Sequence, residues 1–351
     1  MEYDYKNYYG LILPEKIVSV EEVAEDVLGG AGLPEPIINP SGDYLPYIPE
    51  GEPQSAANIE TSACTLFGTN NALETQIKLK TGITINYSDR YVANVARRKG
   101  VLKTNGANPH DIAEMLRKES GETLESHAPW TNDIKSADDY YSLDTAPLIP
   151  EALRWYGVWK LTHKWVFSGG TPQSKRIALQ DALKRGTVCV SILAFYFDNA
   201  KGWYTKPEGG QDGDWVQLVS AESDKPYKIL TSYDPFLKDL DPLYDFAVAK
   251  VFFLTPAPFL KNLYFQMTDP EVARLQSALV SLKYQIPHAV TNVYGTETRS
   301  AVMSFQRDHQ IIDDGSHFGP RTRLALNTKL NPTAPFGGDF LTYLAAFLYC
   351  V

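Results

Sequence analysis

The stretch from Gln54 to Glu74 reads QSAANIETSACTLFGTNNALE. Its residues before Cys64 are polar and typical of turns, and a helical pattern begins at Cys64. Phe67, Asn71 and Glu74 follow at spacings of three and four residues, which predicts a helix that begins at the cysteine. The unpaired N–H groups and the dipole of a first helical turn stabilise a thiolate, the form of cysteine that attacks carbonyl groups. The stretch therefore predicts either a nucleophile at a helix start or a small buried cysteine that opens a core helix.

The same stretch resembles the nucleophile helix of papain-like cysteine peptidases. Asn58 stands six residues before Cys64, at the position where that family has a glutamine whose amide helps to bind the oxyanion. Asparagine is shorter, so Asn58 and Gln54 are both candidate donors beside the backbone N–H of Cys64. The resemblance continues in a later phrase of the family, which is matched here by Glu125, Pro129 and Trp130.

From about residue 177 the pattern changes to strands. IALQDALKRG predicts a helix that ends at Gly186, and TVCVSILAFYF predicts a buried strand rich in β-branched and aromatic residues. The order of elements resembles the β half of the papain-like fold. The predicted class is therefore α+β, with a helical lobe and an antiparallel β lobe. Cys189, inside the first of these strands, is interpreted as an inert core residue.

The catalytic base of the family has no counterpart in the matching phrase. That phrase is DWVQLV here, so Asp214 stands at the histidine position, and Thr231 stands where the family has an orienting asparagine. A carboxylate with a pKa of about 3.9 is a poor acceptor from a thiol of about 8.5, a mismatch of roughly 6 kcal/mol. A nearby anion also raises the pKa of a cysteine. The peptidase half is thus predicted to be degenerate, and a relocated histidine is the alternative.

After residue 270 the chain shows three helical patterns. Val272, Leu275, Leu279 and Leu282 form one apolar stripe, and an aromatic-Gly phrase recurs at Tyr294 and Phe318 before the next two helices. The segment resembles the small three-helix peptidoglycan-binding domain, which implies binding to the bacterial cell wall. The predicted glycan contacts are side chains expected on its surface, namely Tyr284, Tyr294, Arg299, Gln306, Asp314 and Arg321. The alternative is a docking domain that has lost wall binding.

Length and composition set wider limits. A chain of 351 residues suggests two domains, and a net charge of −9 with a pI near 5.3 argues against nucleic-acid binding. Three scattered cysteines, Cys64, Cys189 and Cys350, make neither a disulfide framework nor a zinc site, and no motif implies a cofactor or a metal. The first residues have no basic and apolar leader, so no Sec signal peptide is expected.

The predicted organisation is a lead-in at 1–53, a papain-like domain at 54–256, a linker at 257–269, a peptidoglycan-binding domain at 270–330 and an apolar tail at 331–351. The tail is too short to span a bilayer as a helix and is expected to pack against protein. The leading hypothesis is a wall-binding protein with a pseudoenzyme half, located in a bacteriophage virion or at the cell wall. Two others are an active lysin that cleaves peptide cross-links of peptidoglycan, and a virion subunit that uses both domains for assembly.

Overall fold

The computed structural model describes residues 10–14, 35–56, 59–167, 169–193, 196–207, 209–259, 261–288 and 291–330. Asn58, the apolar tail and most of the lead-in therefore lie outside the described residues. The chain divides into two compact units, of which the first is Met1–Leu79, Thr84–Trp155 and Leu161–Leu254. The second is Lys80–Ile83, Tyr156–Lys160 and Thr255–Val351. The domain boundaries drawn from the sequence stay a prediction.

The helical part of the first unit is built around one long helix, α1 (Cys64–Thr81), which begins at the predicted residue. A two-stranded ribbon of β1 (Ser55–Ala56) and β2 (Ile59–Glu60) precedes it. The helices that follow are α2 (Asp89–Arg98), α3 (Pro109–Met115) with a π-helical turn at Leu116–Ser120, α4 (Ala137–Tyr140), α5 (Ile149–Ala152), α6 (Trp155–Val158) and α7 (Pro172–Arg185). Ser88, Asn108 and Thr171 cap α2, α3 and α7 because their side chains accept first-turn N–H groups.

The sheet has eight strands in the order β3-β10-β4-β7-β8-β9-β6-β5. Its strands are β3 (Trp159–Trp165), β4 (Thr187–Ile192), β5 (Tyr196–Asp198), β6 (Trp203–Thr205), β7 (Asp214–Ser220), β8 (Tyr227–Leu230), β9 (Leu237–Leu240) and β10 (Ala249–Pro256). The central pairs β10–β4, β4–β7, β7–β8 and β8–β9 are antiparallel, and β6–β9 is parallel. The α+β class with a helical part and an antiparallel sheet is thus confirmed.

Helix α1 lies very close to strand β7, and a glycine allows this approach. A Cβ atom on Gly68 would lie 2.5 Å from the backbone oxygen of Trp215. Two turns further along α1, the Thr75 hydroxyl donates to the Gln217 side chain at 3.0 Å. Every residue of β7 is buried, because α1 covers one part of it and the apolar cluster that includes Val216 and Leu218 holds the rest. The first residues of α1 and β7 are therefore brought together.

The buried strand predicted for TVCVSILAFYF is confirmed only in its first part, because β4 ends at Ile192 and the residues from Tyr196 form the separate, largely exposed strand β5. Helix α7 ends at Arg185 with Gly186 as its C-cap, and β4 follows as a fully buried strand. Cys189 is buried in β4, with its Sγ 3.1 Å from the backbone oxygen of Gly68. The interpretation of this cysteine as a core residue is confirmed.

The second unit contains the three predicted helices, α8 (Pro270–Ser281), α9 (Thr296–Asp308) and α10 (Pro320–Leu330). A small ribbon of β11 (Leu263–Tyr264) and β12 (His317–Phe318) accompanies them. Val272, Leu275 and Leu279 of the predicted stripe are fully buried, whereas Leu282, the C-cap of α8, is only partly buried. Among the described residues, no helix has the length and apolar character that crossing a membrane requires.

Candidate functional site

Cys64 and Asp214 form the centre of the candidate site. Cys64 is the first residue of α1 and Asp214 is the first residue of β7, so the close packing of helix and strand at Gly68 brings the thiol and the carboxyl into contact. The two residues are 1% and 3% exposed. A carboxyl oxygen of Asp214 also accepts the backbone N–H of Trp215 at 2.8 Å, which fixes the side chain toward the helix start. The structure therefore places Cys64 and Asp214, the two residues selected from the sequence, next to each other.

The electrostatics of this pair oppose a thiolate. Burial raises the pKa of the Cys64 thiol well above its usual range, and the negative charge of Asp214 raises it further. Burial also raises the pKa of Asp214 to about 7. Lys238, in β9, is buried as well, and desolvation lowers its pKa to about 8 while the charge of Asp214 acts in the other direction. The thiol is protonated at neutral pH, in spite of its place at a helix N-terminus.

The segment at residues 10–14 runs directly over the thiol. The N–H groups of Gly10 and Leu11 donate to the backbone oxygen of Gly213 at 3.2 and 3.1 Å. On the other side, Ala107 donates to Gly10 at 3.1 Å and accepts from Ile12 at 2.9 Å. A Cβ atom on Gly10 would lie only 2.5 Å from the Sγ of Cys64. Only a glycine fits there, and its backbone covers the sulfur.

Gln54 and Thr231, two predicted partners of Cys64, form hydrogen bonds with other groups. The Gln54 amide donates to Glu60 at 2.9 Å and to the Tyr233 hydroxyl at 2.5 Å, and its oxygen accepts from Ser232 at 2.6 Å. Both amide hydrogens are thus already used, so Gln54 is not available as an oxyanion donor, and that prediction is wrong for this conformation. The Thr231 hydroxyl accepts the N–H of Tyr233 at 3.4 Å, which assigns it to a turn. The oxyanion role of Asn58 stays a prediction, because this residue lies outside the described ones.

Sequence reasoning missed the polar cluster that shapes the approach to α1. Glu60 accepts hydrogen bonds from the Tyr233 hydroxyl at 2.9 Å and from the N–H of Ser62 at 2.8 Å. Ser62 has a φ of 56°, a left-handed conformation that favours glycine and that Glu60 stabilises here through its hydrogen bond. Within the described residues of this segment, the polar side chain at position 60 was the local feature of the sequence that could have indicated this cluster. The partner Tyr233 comes from a distant part of the chain, so no local pattern could connect the two.

A relocated histidine is not found beside the thiol. All six histidines are among the described residues, and none of them contributes to the electrostatics of Cys64. His163 is the most buried of them, and its ring bridges Glu114 at 2.9 Å and the Lys250 ammonium at 3.2 Å. Burial lowers the pKa of His163 to about 4 and that of Lys250 to about 7. This buried network belongs to the packing of the sheet.

In the second unit, two of the predicted glycan contacts are buried. Tyr294 and Gln306 are 0% exposed, so the expectation that they lie on the surface is wrong. The Tyr294 hydroxyl donates to the backbone oxygen of Gly315 at 2.9 Å. Gln306 donates to the backbone oxygen of His317 at 2.8 Å and accepts the N–H of Gly315 at 3.1 Å. Both side chains form hydrogen bonds with backbone groups of the loop before α10. This explains why these two polar residues are buried.

The other predicted contacts lie at the surface. Arg299 and Asp314 form an ion pair at 2.9 Å, Arg321 is exposed, and Tyr284 is half-buried with its hydroxyl 3.1 Å from Asp308. Only Tyr284 belongs to a groove beside the start and end of α9, which has a volume of about 620 Å³. Lys283, Glu297, Ser304 and Arg307 also line this groove. It offers both charges and one aromatic ring to a ligand.

We expect the Gln306→Ala variant to lower the free energy of unfolding of the second unit by about 3 kcal/mol, because it leaves the N–H of Gly315 and the carbonyl of His317 without their buried partner. Thermal unfolding followed by circular dichroism measures this loss. Replacing the exposed Arg321 by alanine is the control and changes stability by less than about 0.5 kcal/mol. Equal melting curves for both variants would contradict the assignment of Gln306 to the core.

One group of side chains among the described residues could hold a metal ion. Asp313, Asp314 and His317 place one ligand atom each within 4.8 Å of the others, and all three are exposed. Asp314 is already paired with Arg299, and the N–H of Ser316 and this ion pair hold its pKa down at about 2. These contacts account for the cluster without a bound ion.

A comparison with known protein families supports the interpretation of the second unit. The family described as "Putative peptidoglycan binding domain" matches residues 268–326, so the second unit contains a domain of this kind. The search of curated protein sequences gave no match. The first unit has a cysteine at the start of a long helix that faces the first residue of a sheet strand.

Three solved structures illustrate the similarity of fold. The cysteine protease Amb a 11 of ragweed pollen, in its proform, is 14% identical with a TM-score of 0.42, and the match covers 67% of this chain and 69% of that one. Procathepsin L 3 of Tenebrio molitor is 15% identical with a TM-score of 0.42, and the match covers 65% and 71%. The cysteine protease and lectin-like domains of Cwp84, a surface-layer associated protein of Clostridium difficile, are 12% identical with a TM-score of 0.47, and the match covers 75% and 59%. Identities of this size carry no information about activity.

Proposed function

We propose that this chain is a peptidoglycan-binding protein whose papain-like half is a pseudoenzyme in the described conformation. The observation that supports the pseudoenzyme proposal is that the backbone of Gly10 covers the Cys64 thiol. A nucleophile must come within about 3.5 Å of a substrate carbonyl carbon, and the backbone of Gly10 occupies that space. The partner of the thiol is a carboxyl group that opposes thiolate formation. Both conditions for covalent catalysis, access and activation, are therefore unmet.

The cover predicts strong protection of Cys64 from alkylation. At about pH 8 we expect iodoacetamide to label Cys64 at least about 100-fold more slowly than a cysteine in an unfolded peptide, because labelling requires local opening and loss of a proton from a thiol of high pKa. Mass spectrometry of the digested protein reports each cysteine separately. The Cys64→Ala variant identifies the background from Cys189 and Cys350. Rapid labelling with a midpoint well below about pH 8 would contradict the pseudoenzyme proposal.

A second candidate function is an active cysteine endopeptidase that cleaves wall peptides. The observation that favours it is the pKa of Asp214, which burial raises to about 7. A group with this pKa can accept and return a proton near neutral pH, as a general base does. Such an enzyme would require that the segment at residues 10–14 leave the thiol. The same alkylation profile distinguishes the two candidates, because an active enzyme would show an accessible Cys64 of lowered pKa.

Wall binding is proposed for the groove beside α9. Arg307 lies on its rim with 71% of its side chain exposed, and Tyr284 supplies a ring of the kind that packs on sugar faces. We expect Tyr284→Ala or Arg307→Ala to weaken sedimentation with purified peptidoglycan sacculi by about five- to tenfold. Lys329→Ala, at an exposed cation of this unit that lies outside the groove, is the control. Equal loss in all three variants would argue against the groove.

The same sedimentation experiment tests the remaining hypothesis, in which the two domains serve only for assembly of a virion. A wild-type chain that stays in the supernatant with sacculi from any bacterium would favour assembly and would contradict the proposed wall binding. Retention by sacculi supports a wall-directed protein, whether it acts from a virion or at the cell surface.

A further inference from the structure

The first unit contains a cavity that is separate from the candidate site at Cys64. Its volume is about 290 Å³, and neither Cys64 nor Asp214 lines it. Three carboxyl groups and three aromatic rings form most of its wall, from Glu52, Asp89, Glu125, Phe67, Trp130 and Tyr140. The cavity therefore combines carboxyl groups with aromatic surface, a combination that binds cations.

The polar contacts of the three carboxyl groups are mostly neutral. Glu52 accepts a hydrogen bond from Asn86, and Asp89 accepts one from Asn70. Glu125 accepts the N–H of Trp130, and Ser88 and the charge of Arg90 also favour its ionised form. Among the described residues, no lysine, arginine or histidine forms an ion pair with any of the three. Arg90, the cation in the wall, donates instead to the backbone oxygens of Pro129, Asp139 and Tyr140. Burial raises the pKa of all three carboxyl groups, that of Glu125 to about 7, so a bound cation would favour the ionised form of carboxyl groups that the cavity otherwise keeps partly protonated.

The Tyr140 hydroxyl is a second, independent observation that indicates a ligand-binding site. Tyr140 is 0% exposed and lines the cavity, and its hydroxyl has no hydrogen-bond partner among the described residues. Burial and the nearby charge of Asp89 raise its pKa well above the usual range. The ring of Trp130 packs against that of Tyr140 with 4.8 Å between their centroids. Buried hydroxyl groups are rarely left without a partner, so this oxygen is positioned to accept a hydrogen bond from a bound molecule.

The spacing of the carboxyl groups decides what kind of cation fits. A single metal ion holds oxygen ligands at about 2.0–2.6 Å, so its ligand atoms must lie close together. Within the described part of the chain, the one group that meets this condition is in the second unit. An ammonium group on an alkyl chain does not need such a tight cage, because its three N–H donors reach separate acceptors. The alkyl chain can then lie along the aromatic rings.

We propose that this cavity binds the primary ammonium group of an amino-acid or peptide ligand, with the ammonium near Asp89 and Glu125 and its alkyl chain against Trp130 and Phe67. The hydroxyl oxygen of Tyr140 accepts one of the ammonium hydrogens. This binding site goes beyond the proposed wall binding and does not depend on the state of Cys64.

Isothermal titration calorimetry of the full chain with Nα-acetyl-lysine amide tests the proposal. Nα-acetyl-norleucine amide is the matched probe, because it keeps the alkyl chain and lacks the ammonium. We expect the lysine probe to bind and the norleucine probe to bind at least about tenfold more weakly, since a charge-assisted hydrogen bond accounts for at least that factor. Equal binding of the two probes, or no binding of the lysine probe, would overturn the proposal.

Variants that remove charge and keep shape locate the site. Asp89→Asn and Glu125→Gln are each expected to weaken binding of the lysine probe by about tenfold or more. Glu119→Gln, at an exposed carboxyl paired with Lys99, is the control and leaves binding unchanged. Glu125 is only half-buried, so its variant remains informative if Asp89→Asn does not fold. Unchanged affinity in Glu125→Gln, or equal competition by calcium chloride at the same charge concentration, would overturn the proposal.

Discussion

An Asp214→Asn variant is expected to be more stable than the wild-type protein by about 4 kcal/mol at about pH 8. Burial raises the pKa of Asp214 from its ordinary 3.8 to about 7, and each unit of this shift corresponds to about 1.4 kcal/mol. The ionised carboxylate is thus poorly accommodated between α1 and β7. Asparagine removes the charge and keeps the oxygen that accepts the N–H of Trp215.

The sign of the pH dependence follows from proton binding. Between about pH 4 and about pH 7 the folded protein holds a proton on Asp214 that the unfolded chain has already released. The free energy of unfolding therefore falls as the pH rises through this window, and the loss is complete above about pH 7. The variant has no such carboxyl, so its advantage is absent near about pH 4 and largest at about pH 8.

Urea unfolding at several pH values measures this difference directly. Asp138→Asn, at an exposed carboxylate of α4, is the control and shifts stability by less than about 0.5 kcal/mol at every pH. A wild-type protein and an Asp214→Asn variant of equal stability at about pH 8 would show that Asp214 is not buried beside the thiol.

The second large effect is expected for Asp214→His. This substitution removes the anion that raises the pKa of Cys64 and adds a base of pKa about 6.5 that pairs with a thiolate. We expect the midpoint of Cys64 alkylation to fall by about two pH units or more, which corresponds to an increase of about 100-fold in labelling rate near pH 7. The midpoint is the useful quantity, because opening of the segment over Cys64 scales the rate at all pH values alike.

Asp214→Asn separates the two parts of that effect. It removes the negative charge without adding a base, so the midpoint falls less and stays in the range that burial of the thiol sets. An alkylation midpoint that is the same for the histidine and asparagine variants would mean that residue 214 does not reach the sulfur. Neither variant is expected to cleave peptides while Gly10 covers Cys64.

The predictions that succeeded rest on local patterns. Spacings of three and four residues predicted the helix at Cys64 and the stripe of Val272, Leu275 and Leu279, because side chains at these intervals share a helical face. The run TVCVSILAFYF predicted a buried strand by its β-branched and aromatic residues, and its first six residues form one. These features depend on neighbours in the sequence, and so a single sequence is enough to find them.

The predictions that failed concern side chains whose partners are distant. Gln306 was assigned to the surface because glutamine is usually exposed, yet its amide joins Gly315 and His317 inside the second unit. Gln54 was assigned to an oxyanion site, and it is held instead by Glu60, Tyr233 and Ser232. Polarity alone does not tell whether a side chain meets water or a buried partner.

The sequence by itself determined the α+β class, the cysteine at a helix start and the three helices of the second unit. Only the tertiary structure decided that Gly10 covers the sulfur and that the pKa of Asp214 rises to about 7. Access and desolvation depend on which distant segments exclude water from a group, and a linear pattern carries no measure of that exclusion.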